Sequence, residues 1–362
     1  MKKILSILVI LLFGATSAMA ANNYTRASKS ISNYGTLSFQ VDNEPQDDQN
    51  SSTDVFVVDR KVDLVVAHAD SSYVIVNPNN KNKYLTFTVR NDGNDVQDYH
   101  LTFTASEDNP WGVNEDNLDM DNVRIFVDKV ANGNPYKESE DTETYIDQLD
   151  PDANRTVFIV VDVPGGALNG KIADYTLLAA TREGNKSGEE GGTLTKQNDD
   201  ADDPATVQNV FADADGNGID SAAKNAEHSD WDAFKVEATV ITFAKWSIVI
   251  EDPVVGKKSD GNEPKRIPGA TLRYCFEINN TGDKNASDLS WTDQLDENLT
   301  YITSKYDDTT GGVALTDCVC TTDLTATGKL DGAKVTIPDP GDSKLTLENN
   351  NTICAYIDVL IK

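Results

Sequence analysis

The chain has 362 residues, with 60 Asp and Glu against 31 Lys and Arg, and a formal net charge of −29 at pH 7. A surface this acidic repels phosphate backbones and anionic lipid, which excludes nucleic-acid and membrane-surface binding as expected functions. It also makes segments of the chain repel one another. We therefore expect divalent cations, Ca²⁺ first, as cofactors in an extracellular setting. Plain solubility is the alternative interpretation of the charge.

The first twenty residues have the pattern of a secretory signal peptide. Lys2 and Lys3 precede an apolar segment, 4–13, and small residues occupy the ends of a cleavage pattern at 18–20. The apolar segment is too short to anchor the chain across a bilayer, and no other segment is long and apolar enough to span one. The sequence therefore predicts an exported protein, secreted or displayed on the cell surface.

Strand patterns dominate the rest of the chain. Short runs rich in Val, Ile, Thr, Phe and Tyr alternate with clusters of Asn, Asp, Gly and Pro, which is typical of β-sandwiches. Helical periodicity is not convincing in any long stretch after the signal peptide. The predicted strands are 62–68, 84–90, 99–105, 123–129, 156–163, 175–181, 234–243, 246–251, 271–278 and 352–361.

An internal repeat indicates two related domains. Segments starting at Leu85 and at Tyr274 share the order strand, Asn-x-Gly turn, strand, and each is followed later by a Pro-bearing turn and a strand ending in Asp-Val. Two copies in the same order predict an all-β protein with two immunoglobulin-like β-sandwich domains in tandem. The matched pairs are Phe87 with Phe276, Val89 with Ile278, Asn91 with Asn280, and Gly93 with Gly282.

We divide the chain accordingly. Residues 21–60 form an N-terminal strand or hairpin segment, and 61–244 form the first sandwich. This sandwich carries an acidic, Gly-rich insertion, 183–232, whose composition cannot bury a core alone. Residues 245–362 form the second sandwich, and an acidic hinge lies at 251–263.

The second half resembles a known family on four short segments. Residues 264–270, 280–282, 292–295 and 300–301 match the pattern of the secreted bacterial "conserved repeat domain" family, domain of unknown function eleven. Glu263 departs from it, because Asn is commoner there. The resemblance covers about 245–362 well and the first half loosely. It implies an immunoglobulin-like sandwich on the cell surface or in extracellular assemblies, and it implies no catalytic residues.

The octapeptide DADGNGID resembles the start of a calcium loop. Asp213, Asp215 and Asn217 alternate, and Gly218 follows where such a loop must bend. The bidentate Glu expected at the twelfth position is replaced by Lys224. The predicted Ca²⁺ ligands are Asp213, Asp215, Asn217, the carbonyl of Ile219, and Asp220, with Glu227 or Asp230 as a further acid. An acidic turn that binds no metal is the alternative.

The four cysteines, all in the last quarter of the chain, predict disulfides in the second domain. Cys275 and Cys354 lie on the faces of their strands opposite the apolar residues. Cys318 and Cys320 are too close to pair with each other without strain. We expect one of them to bond Cys275 and the other Cys354. Zinc binding is the alternative, although no histidine lies nearby.

The sequence carries no constellation of catalytic residues. The three histidines are scattered, and the motifs of serine hydrolases, zinc proteases and phosphate-binding loops are absent. We therefore expect a protein that is not an enzyme. A covalent crosslink from Lys245 to Asn350 or Asn351 is a weaker hypothesis.

Residues 30–41 form a predicted strand with one apolar face, on which Leu37, Phe39 and Val41 alternate with polar residues. A disordered-looking segment, 42–53, follows. The strand either forms a hairpin with the segment at 54–60 or inserts into the next subunit by β-strand addition. The second alternative predicts that the protein polymerises with copies of itself, as the subunit of an extracellular filament or surface layer. A monomeric adhesion module that recognises a glycan or a protein is the other functional hypothesis.

Overall fold

The computed structural model describes residues 25–113, 116–129, 135–184, 186–259, 261–307, 318 and 326–362. The predicted signal peptide, 1–20, lies outside this part of the chain. The described residues form β-strands, turns and loops, and no helix occurs among them. None of their elements is a helix long and apolar enough to cross a membrane.

The N-terminal segment folds back on itself as a long, irregular β-hairpin. Pairs run from Ser30 opposite Val57 down to Val41 opposite Glu44. Its six short strands are β1 (Ser30–Asn33), β2 (Thr36–Leu37), β3 (Gln40–Val41), β4 (Glu44–Pro45), β5 (Gln49–Asn50) and β6 (Asp54–Val57).

The tip of this hairpin explains why the segment predicted to be disordered is paired instead. Asp42 and Asn43 both have positive φ, 52° and 66°. Two such residues between Val41 and Glu44 form the kind of turn whose twist matches that of the flanking strands. Asp and Asn tolerate this conformation better than most residues. The polar segment 44–53 therefore returns along the first strand.

The first sandwich consists of two facing sheets. One has the order β14-β16-β10-β8, and the other has the order β15-β11-β17-β19-β9, in which only β9 is parallel to its neighbour. Its strands and those of its insertion are β7 (Arg60–Val62), β8 (Leu64–His68), β9 (Val74–Val76), β10 (Lys83–Asn91), β11 (Gln97–Ala105), β12 (Asp108–Asn109), β13 (Gly112–Val113), β14 (Asp121–Val127), β15 (Tyr145–Leu149), β16 (Asn154–Asp162), β17 (Ile172–Glu183), β18 (Asn209–Phe211) and β19 (Glu227–Val236).

Alternation along these strands places one apolar face of each sheet in a common core. Phe87, Tyr99, Ile159, Leu177 and Phe234 are all fully buried there. This arrangement follows from the period of two in a strand, which sends successive side chains to opposite faces.

The acidic insertion covers the outer face of β17. Asp174 and Thr176 on that face are buried although they are polar. A Cβ atom added at Gly218 would lie 2.6 Å from the Thr176 hydroxyl oxygen, so the insertion loop is in close contact with the strand. A polar insertion therefore covers a polar strand face. A small apolar cluster also ties the insertion to β7, and its members are Val62, Leu194, Phe211 and Ala226.

The second sandwich pairs a five-stranded sheet, β21-β20-β22-β29-β25, with two smaller sheets, β24-β27-β26 and β23-β28. Phe276, Ile337, Leu347 and Ile357 are among its fully buried core residues. The strands are β20 (Ile241–Asp252), β21 (Gly256–Lys257), β22 (Thr271–Asn280), β23 (Ala286–Leu289), β24 (Trp291–Gln294), β25 (Leu299–Tyr306), β26 (Lys329–Asp331), β27 (Lys334–Ile337), β28 (Leu345–Leu347) and β29 (Thr352–Ile361).

One predicted strand is wrong, because 234–243 belongs to two different sheets. The chain leaves the first sandwich after Val236 and enters the second at Ile241. Between them, the Ala238 N–H donates to the Asn169 side chain at 2.7 Å rather than to a strand. Apolar residues continue through this connection, so the sequence pattern does not show the break.

The internal repeat is confirmed at the Asn-x-Gly turns. Asn91 and Asn280 are both fully buried, and each accepts the N–H of the glycine two residues later, Gly93 or Gly282, at 3.0 and 3.1 Å. Each side-chain amide also donates to two or more backbone carbonyls, among them the carbonyl four residues later. The same side chain thus holds the same turn in both sandwiches.

We expect Asn280→Ala to destabilise the second sandwich by about 1–3 kcal/mol, because several buried backbone groups would lose their hydrogen-bond partner. Urea unfolding followed by fluorescence measures the effect. Asn349→Ala, at an exposed position, is the matched control and should change stability little. Equal stability of the two variants would contradict this role of Asn280.

Candidate functional site

The predicted calcium loop lies in the insertion, between β18 and β19, and its first acid is buried. Asp213 is 1% exposed. Its two carboxylate oxygens accept the N–H groups of Asn225 and Ala226 at 2.9 and 3.0 Å. Its carbonyl accepts the N–H of Lys224 at 2.9 Å. Asp213 therefore holds the chain where it turns back toward β19.

Asp220, the last predicted ligand, has a similar local role. Its carboxylate accepts the N–H of Gly216 at 3.1 Å and the side-chain amide of Asn225 at 2.8 Å. The Asn217 amide donates to Asp230 at 2.9 Å. These hydrogen bonds fix the conformation of the loop.

The predicted ligands differ in how exposed they are. Asp215, Asn217 and Ile219 are exposed, whereas Asp213 and Asp220 are buried and already accept N–H groups. Within the described ranges, no group of three or more His, Cys, Asp or Glu side chains is arranged to hold a metal ion. Calcium binding at this loop therefore stays a prediction.

A second group of carboxylates lies on the inward face of β19, and of its members the sequence indicated only Asp230, as a possible calcium ligand. Asp230 accepts the backbone N–H of His68 and contacts its Nδ1, both at 2.7 Å. The N–H of Val66 donates to the Nδ1 atom of His228 at 3.1 Å. Side chains of β19 thus satisfy the free edge of β8 in the opposite sheet. The sequence feature that could have indicated this group is the alternation of His228, Asp230 and Asp232 on the strand face that also carries Phe234.

Asp232 is the most unusual of these acids because it is fully buried. One oxygen accepts the N–H of Ala233 at 2.7 Å, and the other has no hydrogen-bond donor in the structure. Burial, and then the neighbouring Asp70 carboxyl, raise the pKa of Asp232 to about 9. The side chain is therefore protonated in the folded protein at neutral pH.

The raised pKa makes folding stability depend on pH. An unfolded Asp ionises near 3.8, whereas Asp232 in the folded protein ionises only near 9. Its contribution is therefore fully present below the unfolded pKa and is lost as pH rises toward 9. We expect Asp232→Asn to be more stable than wild type at pH 8, and the difference to shrink toward pH 4.

Thermal unfolding across this pH range tests the expectation. Asp202→Asn removes the same charge from an exposed position and should leave the wild-type pH profile unchanged. An Asp232→Asn profile parallel to that of wild type would show that the buried carboxyl does not titrate as inferred.

The N-terminal hairpin, residues 30–57, presents exposed apolar side chains. Leu37, Phe39 and Val41, which we call the apolar row, are 62%, 41% and 51% exposed. The base of the hairpin is fixed to the first sandwich, where the Ala27 N–H donates to the Asn94 carbonyl at 3.3 Å. The predicted hairpin with the segment at 54–60 is therefore the arrangement within this chain.

The first strand of the second sandwich has a free edge. Over 241–249, β20 pairs with β22 on one side, and among the described residues no strand pairs with its other side. Ile241 and Phe243 are 39% and 55% exposed. Lys245, on the same strand, lies 2.6 Å from a carboxylate oxygen of Asp293 rather than pairing with Asn350 or Asn351.

The disulfide prediction is confirmed for one pair. Cys275 and Cys318 form a disulfide with a Cα–Cα distance of 5.7 Å, and both residues are buried. Cys354 is also disulfide-bonded. Cys320 lies outside the described residues.

Comparisons with known proteins give remote similarities only. No family model matches the chain, and no curated protein matches the chain either. The likeness of the second half to the conserved repeat domain family therefore stays a resemblance. A protein assigned as membrane anchored, from Corynebacterium diphtheriae, has a TM-score of 0.20 and 10% identity over 88% of this chain and 54% of its own. The chain thus spans about half the length of that protein. A second structure, "BspA_C_WT", has a TM-score of 0.33 and 8% identity over 82% of this chain and 91% of its own.

Proposed function

We propose that the protein is an exported, non-enzymatic structural subunit that assembles with copies of itself by β-strand addition. The observation that carries the proposal is the apolar row, Leu37, Phe39 and Val41, which the chain leaves exposed on a projecting hairpin. A two-stranded hairpin is at best marginally stable in water when nothing packs against it. A partner that covers the apolar row would stabilise it.

The free edge of β20 supplies a surface for such a contact. Edge strands present unpaired N–H and C=O groups that an added strand can bond. The exposed apolar side chains of Ile241 and Phe243 lie along the same edge. An incoming strand would therefore gain both backbone hydrogen bonds and apolar contacts, which is the mode of β-augmentation.

The two surfaces belong to different parts of the molecule, and this determines the type of assembly. The hairpin projects from the N-terminal side of the first sandwich, whereas β20 begins the second. A contact between two different surfaces is head-to-tail, and repetition without closure gives an open filament. This arrangement supports a filament or surface layer.

Calcium is proposed as the counter-ion of this assembly. Each copy carries a formal charge of −29, so neighbouring copies repel one another. Divalent cations with oxygen ligands reduce such repulsion more effectively than sodium at the same ionic strength. Asp47 and Asp48 on the hairpin and Asp215 on the insertion are exposed acids that could bind them.

We expect Phe39→Lys combined with Val41→Lys to prevent polymerisation, because charged side chains would have to be buried in the contact. Sedimentation velocity and electron microscopy of the mature protein measure assembly. Ser38→Lys combined with Gln40→Lys adds the same charge to the same strand on polar positions and is the matched control. It should polymerise like wild type.

Two outcomes would overturn the assembly mode. If the Phe39 and Val41 variant polymerises as readily as wild type, the apolar row is not the contact. If wild type stays monomeric under all conditions, including Ca²⁺, the exposed hairpin suits the other candidate function, a monomeric adhesion module that recognises a protein or a glycan.

Calcium dependence is tested separately. We expect excess Ca²⁺ to raise the melting temperature and promote polymers relative to EDTA, since bound cations offset the repulsion between carboxylates. NaCl at equal ionic strength controls for screening alone. Equal melting and equal sedimentation in Ca²⁺ and EDTA would exclude a role for the ion. Asp215→Asn then shows whether the insertion loop contributes to the effect.

A further inference from the structure

Lys245 and Asp293 lie on facing strands of the second sandwich, and their side chains are 40% and 10% exposed. Lys245 lies on β20 opposite Phe276, a core residue of β22, and paired residues in antiparallel strands share a face. Asp293 lies on β24 opposite Val335, a fully buried residue of β27. Both side chains therefore point inward from opposite sheets, and Nζ lies 2.6 Å from Oδ1.

Aromatic rings line one side of this pair. The Lys245 Nζ atom lies 4.4 Å from the ring centre of Tyr274 and 5.5 Å from that of Phe276. Asp293 is 8% exposed. The 2.6 Å approach brings the Lys245 nitrogen within reach of the Asp293 carboxyl group.

The second oxygen of Asp293 supplies an independent observation. Oδ2 is buried and accepts no hydrogen bond in the structure, although a carboxylate ordinarily binds several donors. A buried ionised oxygen without a donor is costly. An amide at this position would carry one oxygen instead of two and no charge, and a neutral carbonyl oxygen costs less to bury than an ionised one.

We propose that Lys245 and Asp293 condense to an intramolecular isopeptide bond. The ammonium gives a proton to the carboxylate, which leaves an amine and a carboxylic acid. The amine lone pair attacks Cγ, the N–C bond forms, and the C–OH bond breaks. The hydroxyl takes a second proton from nitrogen and leaves as water. The products are a neutral amide and one water molecule, so no oxidant or other co-reactant is needed.

The crosslink would stabilise β20, the first strand of the second sandwich. Among the described residues, β20 pairs with β22 alone over 241–249 and with β21 only at its end, at 251–252. An amide from Lys245 to Asp293 fastens this strand covalently to the opposite sheet, from the inside of the sandwich. The edge then stays open to solvent while the strand itself cannot peel away.

Intact-mass spectrometry of the mature protein, denatured and with its disulfides reduced, tests the proposal. The expected mass is lower than that of the mature sequence by one water molecule. Protease digestion should give a branched peptide that joins the segments carrying Lys245 and Asp293, and trypsin should fail to cleave after Lys245.

Two variants distinguish the bond from other losses of water. Lys245→Arg keeps the positive charge and the ion pair but should show the full, uncrosslinked mass and no branched peptide. Lys284→Arg changes another ion-paired lysine, bound to Glu237, and should keep the wild-type mass loss. Circular dichroism establishes that each variant is folded. A folded wild-type protein with the full mass of its mature sequence would overturn the proposal and leave Lys245 and Asp293 as an ion pair.

Discussion

The excess of acids over bases is the constraint on which the structure depends. With 60 Asp and Glu against 31 Lys and Arg, at least 29 carboxylates have no lysine or arginine to pair with. Several carboxylates inside the fold accept backbone N–H groups instead. Asp98 accepts the N–H groups of Gln148 and Gly191, at 2.8 and 2.9 Å. Asp252 accepts those of Val254 and Val255 at 2.7 and 2.6 Å. Carboxylates thus organise the loops of this protein.

These bonds also determine which acids are ionised. The N–H of Val255, with those of Lys265 and Val254, lowers the pKa of Asp252, because the donors stabilise the charged form. Asp232 is the opposite case, since it is buried beside another carboxyl and has one oxygen without a donor. The same residue type therefore holds a negative charge in one loop and a proton in the core of the first sandwich.

The central strand of the five-stranded sheet has different contacts on its outer face in each sandwich. In the first, the polar insertion packs on Asp174 and Thr176 of β17. In the second, Cys318 is bonded to Cys275 of β22 by a disulfide. The two domains share the Asn-x-Gly turn and differ in what was added around it. Neither the polar insertion nor the Cys275–Cys318 disulfide covers the free edge of β20 or the N-terminal hairpin.

The sequence by itself determined the all-β class, most strands and the repeated Asn-x-Gly turn, because these follow from short-range alternation and from turn residues. It left the N-terminal hairpin as one of two alternatives and did not show that Asp42 and Asn43 turn the chain back on itself. Only the tertiary structure decided which titratable side chains lie together. Asp70 and Asp232, or Lys245 and Asp293, are far apart in the chain and meet because strands of opposite sheets face each other. The loop at 213–220 shows the same limit. Its spacing predicted calcium ligands, whereas the fold uses Asp213 and Asp220 for N–H groups that appear only when the insertion turns back on itself.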